Sequence, residues 1–330
     1  MCRPDANATS AAPSTLKRSS SSLLLTHDSF VFPDIPDKDD ELKHQKRNPH
    51  LHGLNGPSLP STLLTVAFYV GVLFFLEHVT RHVIAQFAYV DPVLENERNR
   101  HILARHIAVD FITLVMCAYI AITNRHVCRD MIQHGISFGR SNSMMDENFA
   151  ERIFKYHPGS QRLMTIFFVY QVKNMYDTII WGDGIEFVLH HIFAGAAAWG
   201  GMFPGCCHFY ALFYFGFSEI STAILSLLAN FDPVHGVVGL ENVFPKTKIV
   251  LGALFVTSFF ICRVVMWPFT TYYFARDTMK AIKSDVPRAN GRRGYLWVIY
   301  SCCAGLSLIQ LLFVYMIIQT GKEELAKLMN

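Results

Sequence analysis

The sequence predicts an all-α fold, a polytopic membrane bundle of about seven transmembrane helices around a central polar-floored cavity. Three observations carry this. The 330-residue chain is 51% hydrophobic and 13% aromatic with a positive mean hydropathy, too apolar for a soluble domain of its size. Its apolar residues gather into seven stretches near the ~20 residues that a helix needs to cross the hydrocarbon layer. No stretch shows the alternating pattern of a barrel strand, and a backbone in lipid must satisfy its own hydrogen bonds, so the stretches are helices.

Residues 1–58 are rich in Ser, Pro, Asp and Lys and hold only the short apolar patches SSLLLTH and FVF, so they read as a disordered tail unable to bury a core. The opening MCRPDANATS lacks the basic-then-apolar order of a signal peptide. The first span, 60–79, and its connector fill 59–94. A domain over 95–320 holds the spans 103–123, 162–181, 185–203, 207–230, 248–274 and 295–319, and 321–330 is a C-terminal tail. Trp181, Trp199 and Trp297 fall near span ends, where indole rings favour the interface, and Trp267 precedes Pro268 in a span long enough to tilt or kink.

Spans three and four are joined by little more than GDG, and four and five by FPGCC, so these three helices are antiparallel neighbours. The loops around 124–160 and 275–294 each carry six basic residues if Arg162 is counted. With seven spans, both lie on the side of the N-terminus, and the positive-inside rule puts that side in the cytosol. The net charge of +3 is spread over such loops rather than gathered in one patch, which argues against nucleic-acid binding. Cys117, Cys262, Cys302 and Cys303 lie inside apolar runs, and Cys206 and Cys207 are neighbours. The pattern forms neither a disulfide framework nor a zinc site, and no metal or resident cofactor is expected.

Ionisable residues inside spans are expensive and by default mark a site. In span three, VYQVKNMYD sets Tyr170, Lys173, Asn174 and Asp177 on one helix face at spacings of three and four. In span four, GIEFVLHHIFAG puts Asp183, Glu186 and His190 at i, i+3 and i+7, with Glu186 within one turn of His190 and His191 about 100° away around the helix. Span five carries Ser218, Glu219, Thr222 and Ser226, and span six carries Arg263. Four helices with polar stripes are expected to converge on one cavity, with His190, His191 and Glu186 as its catalytic candidates and Asp177, Asp183, Lys173, Glu219 and Arg263 as its lining. The bland alternative makes Lys173 with Asp177, and Arg263 with Glu219, structural pairs that hold helix register, with the histidines hydrogen-bonded between helices.

The Tyr-Asp ending of span three, the short link, the D-x-x-E-x-x-x-H-H series and the S-E-x-S-T of the next span resemble the TLC domain family, over roughly residues 95–320. RHILARHIAVD looks like that family's early Arg/His-bearing helix. The resemblance implies an endoplasmic reticulum protein that binds or processes acyl lipids in membrane lipid homeostasis, with a membrane lipid or fatty acyl chain as partner and room for a homodimer. Its best-known enzymes, ceramide synthases, transfer an acyl group from acyl-CoA to a sphingoid amine, and Asp183, His190 and His191 match the motif around their paired histidines. In that alternative acyl-CoA is a co-substrate, an imidazole takes the amine's proton or is transiently acylated, and Glu186 holds its tautomer. The chain departs from the synthases in span five, where FSEISTAILSLL offers Glu219 but no aspartate pair, and it lacks their homeobox-like insert. S-E-I-S-T is closer to the TLC domain-containing branch, although Ala223 stands where that branch usually has Pro. Resemblance to the seven-span synthases also puts the N-terminus in the lumen, against the charge count. A di-iron hydroxylase, suggested by His101 and His106 with the paired histidines, lacks the further histidine boxes that two irons need. A transporter lacks an internal repeat or broken-helix pair.

Overall fold

The computed structural model of the chain describes residues 57–128 and 149–329. The expected disordered tail, apart from Pro57 and Ser58, and the middle of the basic 124–160 loop lie outside the described residues. Helices stand at all seven predicted positions: α1 (Leu59–Gln86), α2 (Glu97–Thr123), α3 (Pro158–Trp181), α4 (Ile185–Met202), α5 (His208–Phe231), α6 (Pro245–Lys283) and α7 (Arg293–Met329). Among the described residues there is no strand.

The helix starts follow from local chemistry. Pro60, Pro158 and Pro245 sit in the first turns of α1, α3 and α6, where a missing N–H costs nothing. The Asn96 side chain caps α2 by accepting from the Arg98 N–H at 2.9 Å. The GDG link works through backbone shape. Gly182, at φ 69°, ends α3 in the left-handed region, and the N–H groups of Gly182 and Asp183 both return to the Thr178 carbonyl. Gly184, at φ 112°, then turns the chain into α4.

Five of the helices, α1, α2, α5, α6 and α7, are long and apolar enough to cross a membrane. α3 and α4 are not apolar enough by themselves. The reason is their position: α3 packs against α1, α2, α4 and α5, and α4 packs between α3 and α7. Their polar residues are taken up in these helix–helix contacts, while Ile179 and Ile180 of α3 and Leu189 and Ile192 of α4 face outward. By contrast only 11% of the most apolar window of α1 is buried, against 61% for α5, so α1 presents most of its surface to lipid.

The interior helices approach closely through small residues. A Cβ at Gly201 of α4 would lie 2.8 Å from the Met164 sulfur of α3, and one at Gly200 would lie 2.8 Å from Ile299 of α7. Three long helices are also interrupted by π-helical turns: Arg105–Phe111 in α2, Phe213–Phe217 in α5 and Phe260–Met266 in α6. The third has a local cause. Pro268 lacks the N–H that an unbroken helix would send back four residues, and the widened turn just before it takes up the mismatch.

A close seam joins α2 to α5 at Gly216, where a Cβ would sit 2.3 Å from the Ala121 Cβ and 3.2 Å from the Cys117 carbonyl oxygen. Gly216→Ala is expected to destabilise the detergent-solubilised protein by about 1–3 kcal/mol, seen as a lowered midpoint of thermal unfolding. Gly71→Ala on α1, where nothing lies within 4 Å, is expected to leave the midpoint unchanged or raise it slightly.

Candidate functional site

The polar stripe of α3 has one dominant partner that sequence reasoning passed over. Glu77 of α1 places one carboxylate oxygen 2.6 Å from the Lys173 ammonium and the other 2.7 Å from the His101 ring of α2. The same ammonium lies 2.5 and 2.7 Å from the two Asp177 oxygens, and Phe74 covers it with its ring centroid 4.6 Å away. Lys173 is fully buried and both carboxylates nearly so, which makes this a closed ionic triad rather than a lining open to ligand. Glu77 was legible as the one carboxylate inside an otherwise apolar first span.

The network continues through Arg105, set on the π-turn of α2. Its guanidinium lies 2.7 Å from Asp183 in the α3–α4 link, 3.3 Å from the Asn174 amide oxygen and 3.8 Å from Asp177. Asn174 donates to the Tyr170 hydroxyl at 2.8 Å. Asp110, on the same turn, is buried with one oxygen unpartnered, and His106 reaches Asn230 of α5 at 3.1 Å. A second, separate pair joins α5 to α6: Arg263 lies 2.9 Å from Glu219 and 3.0 Å from the Thr222 hydroxyl, with Trp267 beneath its guanidinium.

The two histidines have different surroundings. His191 is buried, and its Nδ1–H donates to the Gln171 amide oxygen of α3 at 2.6 Å, which leaves Nε2 with its lone pair. His190 turns to the seam between α4 and α7, its ring 6.1 Å from Phe313, which in turn stacks on Phe187 at 5.7 Å. The residue is half-buried, yet its Nδ1 is shielded and has no hydrogen-bond partner.

Glu186 does not fill that gap. Its carboxylate folds back over the start of α4, so close to Gly184 that a Cβ there would meet Oε1 at 2.7 Å, and it makes no hydrogen bond to either histidine. The tautomer-holding role assigned to Glu186 from spacing is taken, at His191, by Gln171. Spacing along α4 allowed the Glu186 contact but could not weigh it against the free N–H groups at the helix start, which attract a carboxylate.

The expected single cavity is not seen among these residues. Lys173, Asp177 and Asp183 come together through Arg105 and Glu77, Glu219 and Arg263 pair with each other, and His190 stands at a different seam. A small space of about 10 Å³ lies elsewhere, among Met164, Gly201, Tyr210, Phe274 and Cys303. Charges in a low-dielectric interior collapse onto one another when a partner is within reach, which closes the space that polar stripes alone suggest.

Removing one partner of the triad isolates its energetic role. Lys173→Met leaves the Glu77 and Asp177 carboxylates buried without their cation and is expected to cost about 3–5 kcal/mol. The triple variant Glu77→Gln, Lys173→Met, Asp177→Asn is expected to recover much of that loss. Thermal unfolding of the three proteins in one detergent checks both; a Lys173→Met protein as stable as the parent would contradict the assignment.

A family model described as the TLC domain matches residues 111–319, from the π-turn of α2 through most of α7. No curated protein and no solved structure matches the chain. The matched stretch covers more than half of the sequence and contains α3 to α6 whole with both histidines, while α1 and its Glu77 lie before it. This multi-pass, all-α chain therefore belongs to the TLC domain family.

Proposed function

We propose that this protein acts in membrane lipid homeostasis by binding an acyl lipid whose polar end is held at His190 and His191, and that it does so in the endoplasmic reticulum. One observation carries the reading: the shielded, unpartnered Nδ1 of His190 beside a firmly held His191. An unsatisfied polar atom in such surroundings costs about 1–3 kcal/mol, and a ligand hydroxyl, amine or carbonyl would offset that cost. Phe187 and Phe313 line the same seam and suit an apolar chain entering sideways from the bilayer. Asp177, Lys173, Asp183, Glu219 and Arg263 support the site by holding α1 to α6 in register, their charges being occupied by one another.

A second reading, acyl transfer from acyl-CoA to an amine, is favoured by the tautomer of His191. With Nδ1–H donated to Gln171, the Nε2 lone pair is available to take the proton that an acceptor amine loses as its nitrogen attacks the thioester carbonyl. The C–S bond then breaks, and the coenzyme A thiolate leaves with a proton. No carboxylate partners either imidazole, so His191 acts here without a charged orienting group.

Mass spectrometry of lipids that co-purify with the protein tests the binding reading. His190→Ala and Phe313→Ala are each expected to change the bound species while leaving thermal stability within about 1 kcal/mol; identical lipid profiles in parent and variants would refute it. The transfer reading has its own measurement. Parent protein supplied with acyl-CoA and a panel of lipid amines forms acylated product, and His191→Ala lowers the rate by about 10²–10⁴. A parent with bound lipid but no product leaves the binding function standing alone.

A further inference from the structure

The seam between α4 and α7 holds a polar atom outside the networks described so far. Gln310 lies near the middle of the apolar span 295–319, only 5% exposed, and its Oε1 is shielded with no hydrogen-bond partner. An amide oxygen left this way at membrane depth is expensive, so it calls for a donor.

Packing fixes what Gln310 stands level with. A Cβ at Gly200 would lie 2.8 Å from Ile299, one at Gly305 would lie 2.7 Å from the Phe193 ring, and the Phe187 and Phe313 rings stack at 5.7 Å. These contacts descend α4 as they climb α7, so the two helices are antiparallel and in a fixed register. His190 is midway between Phe187 and Phe193, and the midpoint of the matching stretch 305–313 of α7 falls at Ile309, one residue from Gln310. Gln310 also shares a face with Leu306 and Phe313, at spacings of four and three; Leu306 is buried, and the Phe313 ring lies 6.1 Å from that of His190. Two orphaned atoms, His190 Nδ1 and Gln310 Oε1, therefore stand at one height of one seam, between walls made of Phe187, Phe193 and Phe313.

We propose that Gln310 is the second polar contact of the histidine seam and that it selects a lipid with a free hydroxyl group. The inference rests on the reading that His190 holds the polar end of an acyl lipid, and it names which polar end. An amide oxygen only accepts, whereas His190 Nδ1 accepts or donates according to its tautomer. A hydroxyl answers both atoms at once: its O–H donates to Gln310 Oε1 while its oxygen accepts from His190 Nδ1–H. An ether or ester oxygen only accepts, and so leaves Oε1 without a donor. An ammonium donates, but it brings a charge to mid-span between phenylalanine walls that supply no carboxylate.

The full-length protein in phosphatidylcholine nanodiscs, offered hexadecanol, its methyl ether, methyl palmitate and hexadecylamine in equal amounts, provides the test. The reading is each probe retained per protein after capture in detergent, by mass spectrometry. The parent is expected to retain hexadecanol about tenfold over the ether and the ester, the worth of one good hydrogen bond. Gln310→Leu is expected to lose that preference while retaining the ether as the parent does, and to unfold at a temperature no lower than the parent's, since it removes an unsatisfied amide. Should that variant fail to fold, the parent's ratio of alcohol to ether carries the test without it. The proposal is overturned, with the binding reading intact, if His190→Ala changes the co-purified lipids while the parent retains alcohol and ether equally. It is overturned equally if methyl palmitate or hexadecylamine is preferred, or if Gln310→Leu keeps the preference for the alcohol. Co-purified lipids left unchanged by His190→Ala would remove the binding reading first and this proposal with it.

Discussion

A lysine ammonium cannot sit alone inside a bundle that lipid surrounds, and the way Lys173 is neutralised organises the rest of this molecule. Its charge is met by Asp177 from the next turn of its own helix and by Glu77 from α1. The first contact is local and stiffens α3. The second is long-range and ties a helix that lies before the matched family domain to the centre of that domain. Because α1 offers little apolar surface to the interior, this polar clasp supplies much of the specificity with which it docks. Arg105 extends the same arrangement to the α3–α4 link through Asp183 and so sets where α4, with both histidines, begins.

The π-helical turns belong to the same economy of charge. An extra residue in a turn rotates everything beyond it, and two of the three turns carry an arginine that finds its carboxylate across a helix interface: Arg105 with Asp183, and Arg263 with Glu219. The third precedes Ser218 and Glu219 directly, and so aims the acceptor of the second pair. Widened turns at charge-bearing positions let long apolar helices keep their lipid-facing sides while turning a few polar groups inward. The opposite end follows the same logic with different residues. There Arg152 and Tyr210 converge on Asp277, joining the segment before α3, the start of α5 and the end of α6.

Within this frame the histidines are distinguished by what they lack. His191 is held by a neutral amide, and His190 by no hydrogen bond at Nδ1. Asp177, Asp183 and Glu219 are neutralised elsewhere, and Glu186 is folded over the helix start. A site built this way favours the recognition of neutral polar groups over the stabilisation of a strongly charged species. That is the physical ground on which the proposed reading puts lipid binding before transfer chemistry.

The sequence by itself determined the helical class, the places of the seven helices and the tight GDG link, and it offered the pairs Lys173 with Asp177 and Arg263 with Glu219 only as the alternative to a cavity lining. These rest on apolar run length, on turn chemistry and on the strong bias of a buried charge toward an opposite one. Spacing alone also assigned Glu186 to His190 and gathered all the polar stripes around one cavity. Only the tertiary structure decided that Glu77 answers Lys173 from 96 residues away in the chain, that Gln171 rather than Glu186 orients an imidazole, and that the stripes close into two networks and a separate histidine seam. The physical reason is that helical periodicity reports which residues share a face, whereas the partner a face meets depends on the azimuth and height at which its neighbours pack. π-turns and small-residue seams such as Gly216 against Ala121 shift both quantities by amounts that no periodicity records.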